Sequence, residues 1–405
     1  MLGRVIETYR AAFRGLPRDV WLLSLVALIN RSGTMVLPFL SLYVAEERGL
    51  SVSGAGRVLA VYGLGAVAGS YLGGWLSDRI GSTLTQTFSL VTSGFAFLAF
   101  LHLDSPVEIA AGAFLLSLFA ESFRPAVMAD MAHRAPPEIA ARAFALLRLA
   151  VNVGMGIGPA IGGFLALYDY DWLFIVDAIT CWLAAVTLVA TLGRTAPEVH
   201  DDPASQVAGG RSPWRDGPFL LLMLLMTVLA SIFFQVFSTM PLYFSGVYGL
   251  AENAIGLFLA FNAALIVAFE MVLIHSLEGR SRLILIGFGA FLICAGLGLM
   301  PLGSSIPFIG FTIAVWTFGE MLALPLTNVL VADRAGRTHR GRYMGLYTMT
   351  FSVAFVFAPA GGTWIYEGFG PDILWYGAGA CGVLLWVWAL ALRPAFRSRS
   401  EPGPS

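Results

Sequence analysis

The sequence predicts an all-α membrane protein whose twelve transmembrane helices form two six-helix halves. Three observations carry this prediction. The 405 residues are 58% hydrophobic and only 12% charged, which is about half the charged fraction of a soluble domain. The apolar residues come in runs long enough to cross a bilayer, and selected glycines, prolines and charges recur 200 residues apart. A chain with so little charge must present most of its surface to lipid.

The apolar runs define the helices one by one. A hydrocarbon core about 30 Å thick requires about 20 apolar residues per spanning helix. Strands of a membrane barrel are far shorter than these runs, so helices are predicted. The first run is too long for the apolar region of a cleaved signal peptide, and we expect it to be retained. The predicted spans are 19–44, 53–76, 83–102, 106–131, 142–167, 172–193, 217–245, 253–275, 283–302, 306–332, 343–366 and 373–392.

The arginines predict the orientation of these spans. All 24 basic residues are arginine, and 19 of them fall in segments on the side shared by both termini. Only Arg48 and Arg57 fall on the other side. Because basic residues concentrate in cytoplasmic segments, both termini are predicted to be cytoplasmic. The chain is expected to be a multi-pass protein of the inner or plasma membrane.

A long polar segment divides the chain. Residues 193–217 are rich in Pro, Gly and Asp, and they lie between the sixth and seventh spans. We interpret them as a cytoplasmic linker between an N-terminal bundle, 1–192, and a C-terminal bundle, 218–405. The two bundles share residues at an offset of 200; the last pair shares its acidic character and the others are identical. The pairs are Gly49-Leu50 and Gly249-Leu250, Gly56 and Gly256, Pro125 and Pro325, Arg142 and Arg342, Pro159 and Pro359, Gly162 and Gly362, Asp78 and Glu278.

A charged turn interrupts the apolar sequence between the second and third spans. In GGWLSDRIG, Asp78 and Arg79 lie between Gly74 and Gly81. Such charges at a helix end could form a latch that holds one side of the membrane domain closed. Asp78 would meet the positive end of a helix from the other half, near Arg342, and Arg79 would meet Asp130 at the end of the fourth span. The alternative is an ordinary polar turn.

A second motif lies in the fifth span, within GMGIGPAIGG. Gly154, Gly158 and Gly162 are spaced at i, i+4 and i+8 and form one smooth stripe, with Gly163 beside it. Such a stripe allows close approach of a neighbouring helix, and Pro159 kinks the helix by removing a backbone donor. The alternative is a packing face with no special role.

With these motifs, the chain resembles the major facilitator superfamily, and in particular its drug:proton antiporters. The resemblance covers the twelve spans, the duplication, the central linker, the G-x-x-x-D-R-x-G pattern and the glycine motif of the fifth span. Ser82, Thr83 and Leu84 replace the basic residues that normally follow the first motif. The resemblance implies alternating access, with spans one, four, seven and ten lining a central cavity.

Ionisable residues at membrane depth are the candidate proton and substrate sites, because a charge there is costly unless it has a role. Arg31, Glu121 and Arg124 lie in the first half. Glu121 therefore has cationic partners within reach. Glu320 lies near the middle of the tenth span, and no arginine of its own half lies at that depth. It is the first choice for proton carrier, and Glu270 is a further candidate.

The remaining composition narrows the function. Aromatic residues of the seventh and tenth spans favour lipophilic or cationic substrates over sugars. The leading interpretation is a proton-coupled exporter of such molecules, and the alternative is a proton-coupled importer of a small nutrient or metabolite. No nucleophile, zinc or phosphate-loop motif points to an enzyme or a nucleotide-driven pump, although a membrane enzyme or receptor is the competing class. No cofactor, metal or nucleic acid is expected, and the partners are substrate, protons and lipid, with the chain as a monomer.

Overall fold

The computed structural model describes residues 15–136, 138–193, 213–277, 279–335 and 340–396. All regular structure in these ranges is helical. Twelve helical segments are long and apolar enough to span a membrane, and each matches a predicted span with bounds that differ by four residues at most. Numbered spans 1 to 12, they are Arg18–Glu47, Val52–Ile80, Ser82–Phe100, Pro106–Arg134, Arg142–Ala166, Asp171–Leu192, Gly217–Gly246, Glu252–Ser276, Arg282–Leu302, Ile306–Ala335, Arg342–Phe369 and Pro371–Phe396.

Two of the spans are broken near their middle. Span 1 consists of helices Arg18–Ser32 and Val36–Leu42, followed by a π-helical turn, Tyr43–Glu47. Span 7 consists of helices Gly217–Phe233 and Gln235–Gly246. A break leaves backbone N–H and C=O groups without helical partners, so other groups must satisfy them. The helix of span 5 begins at Ala140, that of span 11 begins at Arg340, and that of span 9 ends at Gly298 before a 3₁₀ turn, Met300–Leu302.

The described residues fall into two compact units. The first comprises the described residues within 15–193 and 237–267, and the second comprises those within 213–236 and 268–396. In the first, span 2 packs along span 4, span 3 packs on spans 4 and 6, and span 1 packs on span 5. In the second, span 9 packs between spans 10 and 12, and span 7 packs on span 11. The division of the chain at residues 193–217 stays a prediction, since most of that segment lies outside the described residues, as does Glu278.

The repeat seen in the sequence has a local structural counterpart. Gly49 and Gly249 both end a helix in the left-handed conformation, with φ of 64° and 65°. In each turn the N–H of the following leucine returns to a carbonyl six residues earlier, Leu50 to Val44 and Leu250 to Phe244. A glycine in the left-handed conformation just after the last helical turn is a common way to end a helix. The same turn therefore occurs twice, at the 200-residue spacing.

Candidate functional site

The GGWLSDRIG turn closes span 2. Gly81 has a φ of 87° and is the single residue between the helices of spans 2 and 3. A side chain in that conformation would be strained, so Gly81 allows the sharp reversal. Asp78 and Arg79 lie in the last helical turn and are exposed, whereas Gly74 is partly buried. The pairing predicted between Asp78 and the start of span 11 joins the two units and stays a prediction.

The predicted pair of Arg79 and Asp130 is not the arrangement found. The guanidinium of Arg79 lies 4.3 Å from the ring centroid of Trp75. Asp130 is fully buried and accepts hydrogen bonds from Gln86 and Arg134, each at 2.8 Å. Arg134 reaches Asp130 because the two residues lie four apart on one helix face. The structure therefore gives Asp130 a different cation from the one that the sequence suggested.

Arg134 joins three spans at the membrane face where span 1 begins. Its Nη1 donates to Asp19 at 3.0 Å, and its Nη2 lies 3.5 Å from the hydroxyl of Thr83. The arginine side chain is only 6% exposed. Charge-assisted hydrogen bonds of this kind fix geometry strongly when they are buried. The network holds the starts of spans 1 and 3 to the end of span 4.

In the second unit, Arg334 lies 200 residues after Arg134 and also pairs with an aspartate at the start of a span. Arg334 donates two hydrogen bonds to Asp216, at 2.7 and 2.6 Å, and Tyr343 adds a third at 3.1 Å. Asp216 also caps the helix of span 7 by accepting from the N–H of Phe219. Burial opposes ionisation of Asp216, but its bonds to Arg334 outweigh that effect and lower the pKa of the carboxyl. Sequence reasoning missed Arg134 and Arg334, although their 200-residue spacing was a usable signal.

Asp216→Asn is expected to destabilise the protein at pH 7 by about 1.5–3 kcal/mol, because it removes a charged acceptor from four donor groups. Since the folded-state pKa is lowered, the stabilisation is full above the ordinary aspartate pKa and is lost as the pH falls through the folded-state value. The gap in melting temperature between wild type and variant should therefore shrink as the pH falls from 7 toward 3. Glu47→Gln, at an exposed carboxylate, is the control. A gap that is unchanged by acid would contradict the assignment.

An ion pair lies at membrane depth between spans 1 and 4. The Nη1 of Arg31 is 3.9 Å from a carboxylate oxygen of Glu121, and each side chain is 19% exposed. Arg124, expected to be a second partner, is exposed, and the described ion pairs place Glu121 with Arg31 alone. The half-buried pair carries both signs of charge in a region where isolated charges are costly.

The break in span 1 is held open by Asp177 of span 6. Its buried carboxylate accepts the N–H of Met35 at 3.1 and 3.2 Å and that of Val36 at 3.1 Å. These are donors that the second helix of span 1 leaves unpaired at its start. A side chain at Gly33 would collide with Thr180, so the glycine permits spans 1 and 6 to touch at the break. Asp177 thus sets the backbone beside Arg31.

A small cavity joins these groups. Its walls include Arg31, Thr34, Tyr62, Glu121 and Asp177, and its volume is about 40 Å³. A cavity needs about 10–15 Å³ on this measure to hold one water. The space suits a water molecule or an inorganic cation and excludes a drug-sized molecule.

The glycine motif of span 5 serves two neighbours instead of one. Gly154, Gly158 and Gly162 face span 1, where an added Cβ would lie 2.7 Å from the Cβ of Arg31, 2.9 Å from the carbonyl oxygen of Thr34 and 3.0 Å from the Cβ of Met35. A different face of the same helix contacts span 8. There Gly163 lies against the backbone of Glu252, and the carbonyl of Pro159 lies against Gly256. Span 5 therefore has smooth contacts with both span 1 and span 8.

Hydrogen bonds connect several helix ends at the membrane face where span 1 ends. The hydroxyl of Tyr170 donates to Glu252 at 3.0 Å and lies 3.4 Å from Glu46, and Ser245 donates to Glu46 at 2.9 Å. Burial, with the nearby carboxylates adding to it, raises the pKa of Tyr170 above its ordinary value. The hydroxyl therefore keeps its proton. These contacts tie together the ends of spans 1 and 7 and the starts of spans 6 and 8.

The candidate carboxylates of the second unit lie on two spans. Glu320 is half-buried near the middle of span 10, and Glu270 is 7% exposed in span 8. Neither is without a partner, so the structure corrects the expectation that Glu320 is unpaired. Trp316 was expected among the aromatic residues of the cavity, but it is only 1% exposed. Its ring packs against that of Phe233, with the centroids 6.1 Å apart.

Comparisons with known proteins agree with this architecture. The family model described as Major Facilitator Superfamily matches residues 20–359 and, in an overlapping match, 279–405. The chain is 25% identical to a Na(+), Li(+), K(+)/H(+) antiporter of Planococcus maritimus, covering 89% of this chain and 91% of that protein. It is also 25% identical to the multidrug resistance protein MdtH of Edwardsiella ictaluri, covering 89% and 90%.

Solved structures show the same fold at low identity. A POT family transporter in complex with 5-aminolevulinic acid superposes with a TM-score of 0.78 at 18% identity, covering 95% of this chain and 98% of that one. The nucleoside transporter NupG gives a TM-score of 0.79 at 11% identity, covering 92% and 99%. Twelve spans, the paired glycine turns and a family match over most of the chain lead to one conclusion: the protein is a multi-pass membrane transporter, not an enzyme, and belongs to the Major Facilitator Superfamily.

Proposed function

We propose that the protein is a proton-coupled exporter of lipophilic or cationic small molecules that works by alternating access. Both termini face the cytoplasm, as the arginine distribution indicates, in the inner or plasma membrane. Two relatives that match about nine-tenths of the chain are named as a cation/proton antiporter and a multidrug resistance protein, and both names fit exchange across a membrane.

The contact of span 5 with both span 1 and span 8 carries the proposal. Gly158 faces the backbone of span 1, and Gly163 faces the backbone of span 8. Surfaces made of glycine have no interlocking side chains, so they can part and close again without repacking a core. An exporter needs such a surface at the face that opens to release substrate. The small-residue stripe is therefore assigned to a moving interface.

Proton coupling is assigned to the carboxylates at membrane depth. Glu320 is the first choice because it is half-buried at the middle of its span, where an ionisable group is retained only for a role. Glu121 is held beside Arg31, and its charge is assigned to positioning. Glu270 is the next candidate for proton uptake if Glu320 does not serve.

An aromatic cluster in the second unit supports the substrate class. The ring of Phe234 lies 4.8 Å from that of Phe355 and 6.4 Å from that of Phe351, and Phe233 lies beside it at 5.9 Å. All four rings are partly exposed. Aromatic faces bind lipophilic molecules and attract organic cations. A site that recognises sugars would instead present many hydrogen-bonding groups.

The Asp78 latch gives a specific prediction. Asp78→Asn should lower transport about two- to fivefold, the effect expected from loss of one contact between a charge and a helix dipole, while expression stays near wild type. Glu138→Gln, an exposed carboxylate on the same membrane face, is the matched control. Initial rates of dye transport in vesicles measure the effect. Wild-type transport by Asp78→Asn would leave the motif as a polar turn.

The function is tested in inverted membrane vesicles with an imposed proton gradient. Ethidium and a neutral lipophilic dye should accumulate against their gradients, and a proton uncoupler should stop the accumulation. Empty vesicles give the background. Accumulation that survives the uncoupler would contradict proton coupling. Transport of a small nutrient in the opposite direction, with no dye transport, would support the importer instead.

A second candidate is exchange of Na⁺, Li⁺ or K⁺ for protons. The name of the Planococcus maritimus relative favours it, and so does the 40 Å³ cavity that has both Glu121 and Asp177 in its wall. Hard cations prefer such oxygen ligands. Each salt is added to acid-loaded vesicles, and a pH-sensitive dye reports the resulting change in internal pH. This measures cation/proton exchange independently of dye efflux.

A further inference from the structure

A second and larger pocket lies in the second unit, away from the groups assigned to transport. It has a volume of about 460 Å³, and among the described residues its wall contains Arg280, Arg282, Arg334, Arg393 and a single acidic residue, Asp333. We call it the arginine pocket. Leu283, Leu330 and Phe396 provide an apolar side. The pocket therefore combines an excess of positive charge with hydrocarbon surface.

The position of the arginine pocket places it at a membrane surface. Its residues belong to the loop between spans 8 and 9, the start of span 9 and the ends of spans 10 and 12. Because consecutive spans run in opposite directions, all these positions lie on the same side of the membrane. This is the depth at which lipid headgroups lie, and the arginine distribution assigns it to the cytoplasmic leaflet.

Two of the four arginines are already committed within the protein. Arg334 donates to Asp216 and to the carbonyl of Ala395, and its guanidinium lies 4.2 Å from the ring centroid of Phe396. Arg282 is paired with Asp333. These two arginines form walls of fixed geometry and leave little charge to attract a ligand.

The other two arginines have donors to spare. Among the residues that the structure describes, neither Arg280 nor Arg393 has an ion-pair partner. The Nε of Arg393 is buried and has no hydrogen-bond acceptor. A buried donor of this kind costs free energy unless a ligand satisfies it. Guanidinium groups bind phosphate oxygens in a bidentate manner.

We propose that the arginine pocket binds a phosphate group at the membrane surface, with Arg280 and Arg393 as its ligands. The phosphate is carried by an anionic phospholipid or by a soluble phosphate ester, and the chemistry recognised is the same. Basic pockets between spans on the cytoplasmic side are suited to anionic headgroups. The apolar side formed by Leu283, Leu330 and Phe396 can cover the first carbons of a lipid chain. This assignment goes beyond transport, since none of these residues is a candidate proton or substrate site.

The full-length protein, purified in detergent, tests the proposal by native mass spectrometry with phosphatidylglycerol and phosphatidylcholine. The wild type should retain phosphatidylglycerol preferentially, and the double variant R280Q/R393Q should bind it about 25-fold more weakly, since each arginine near the surface contributes about fivefold. The control R18Q/R215Q removes two exposed arginines from the same membrane face but outside the pocket. It should bind within about twofold of wild type.

Titration of lipid-free protein with inorganic phosphate and glycerol phosphate separates the two sources. Phosphate binding that R280Q/R393Q loses, without lipid selectivity, supports a soluble ligand. Lipid selectivity without phosphate binding supports a headgroup. Melting curves check folding, and the single variant R280Q, at an exposed position, gives a second measurement if the double variant is unstable. Equal binding by wild type and R280Q, or no binding of lipid or phosphate by wild type, overturns the proposal.

Discussion

Glu320→Gln is expected to abolish proton-driven accumulation of substrate while the melting temperature stays near the wild-type value. Gln has nearly the shape and hydrogen-bonding capacity of Glu, but it cannot take up and release a proton. If Glu320 carries the coupled proton, uphill transport falls to the level of empty vesicles. A neutral substrate should still bind, because the aromatic cluster of Phe233, Phe234, Phe351 and Phe355 is unchanged. Dye accumulation in inverted vesicles and dye binding to purified protein measure the two properties separately.

Glu121→Gln provides the contrast for this experiment. Glu121 lies 3.9 Å from Arg31, and both side chains are only 19% exposed. Removing one charge leaves Arg31 without its counter-charge at membrane depth, which costs about 1–2 kcal/mol for a pair between the buried and surface limits. A lower melting temperature or lower expression is expected for Glu121→Gln. Glu47→Gln, at an exposed carboxylate, should match the wild type in both assays.

The outcome that counts against Glu320 is full coupled transport by Glu320→Gln. The proton site would then move to Glu121 or Glu270. Loss of both binding and transport, with a large fall in melting temperature, would make Glu320 a structural residue, which is consistent with its having a partner in the structure. Retained binding with lost accumulation is the result expected of a proton carrier.

The fold could be predicted from the sequence because span length and hydropathy are set by the bilayer itself. A run of about 20 apolar residues has few alternatives to a spanning helix, and every predicted span matches one in the structure. The glycine spacing in span 5 likewise predicted a close contact, since a missing side chain has the same consequence whichever helix lies opposite. What the spacing could not show is that Gly163 faces a second helix, span 8.

The side-chain partners were harder to predict because they depend on the rotation of each helix about its axis. Arg79 was predicted to pair with Asp130, but Asp130 bonds to Arg134, four residues along the same helix. Arg124 is three residues from Glu121, yet it is exposed and Arg31 is the partner. The bond of Asp177 to the broken span 1 could not be inferred from the sequence, because a helix break in an apolar run leaves only a weak polar signal.

Asp177→Ala is expected to cause a large loss of stability. The carboxylate accepts the N–H groups of Met35 and Val36 inside a buried site. Without it, the N–H of Val36 loses its acceptor, and that of Met35 keeps only its 2.9 Å contact with the carbonyl of Gly33. An unpaired buried N–H costs about 1–3 kcal/mol, so the loss should be about 1–3 kcal/mol. Asp177→Asn keeps one acceptor oxygen, but its amide NH2 group would face the backbone N–H groups. The stability of this variant should therefore lie between those of the wild type and Asp177→Ala.

The control for Asp177→Ala is Ile179→Ala, two residues away on the same helix, where the side chain is 53% exposed. This change removes apolar surface that contacts lipid, and its melting temperature should stay within about 2 °C of wild type. Transport should also fall in Asp177→Ala, since the break in span 1 positions Arg31 beside Glu121. Melting curves and vesicle transport together distinguish the roles. An Asp177→Ala protein that melts and transports like wild type would show that span 1 keeps its break without the carboxylate.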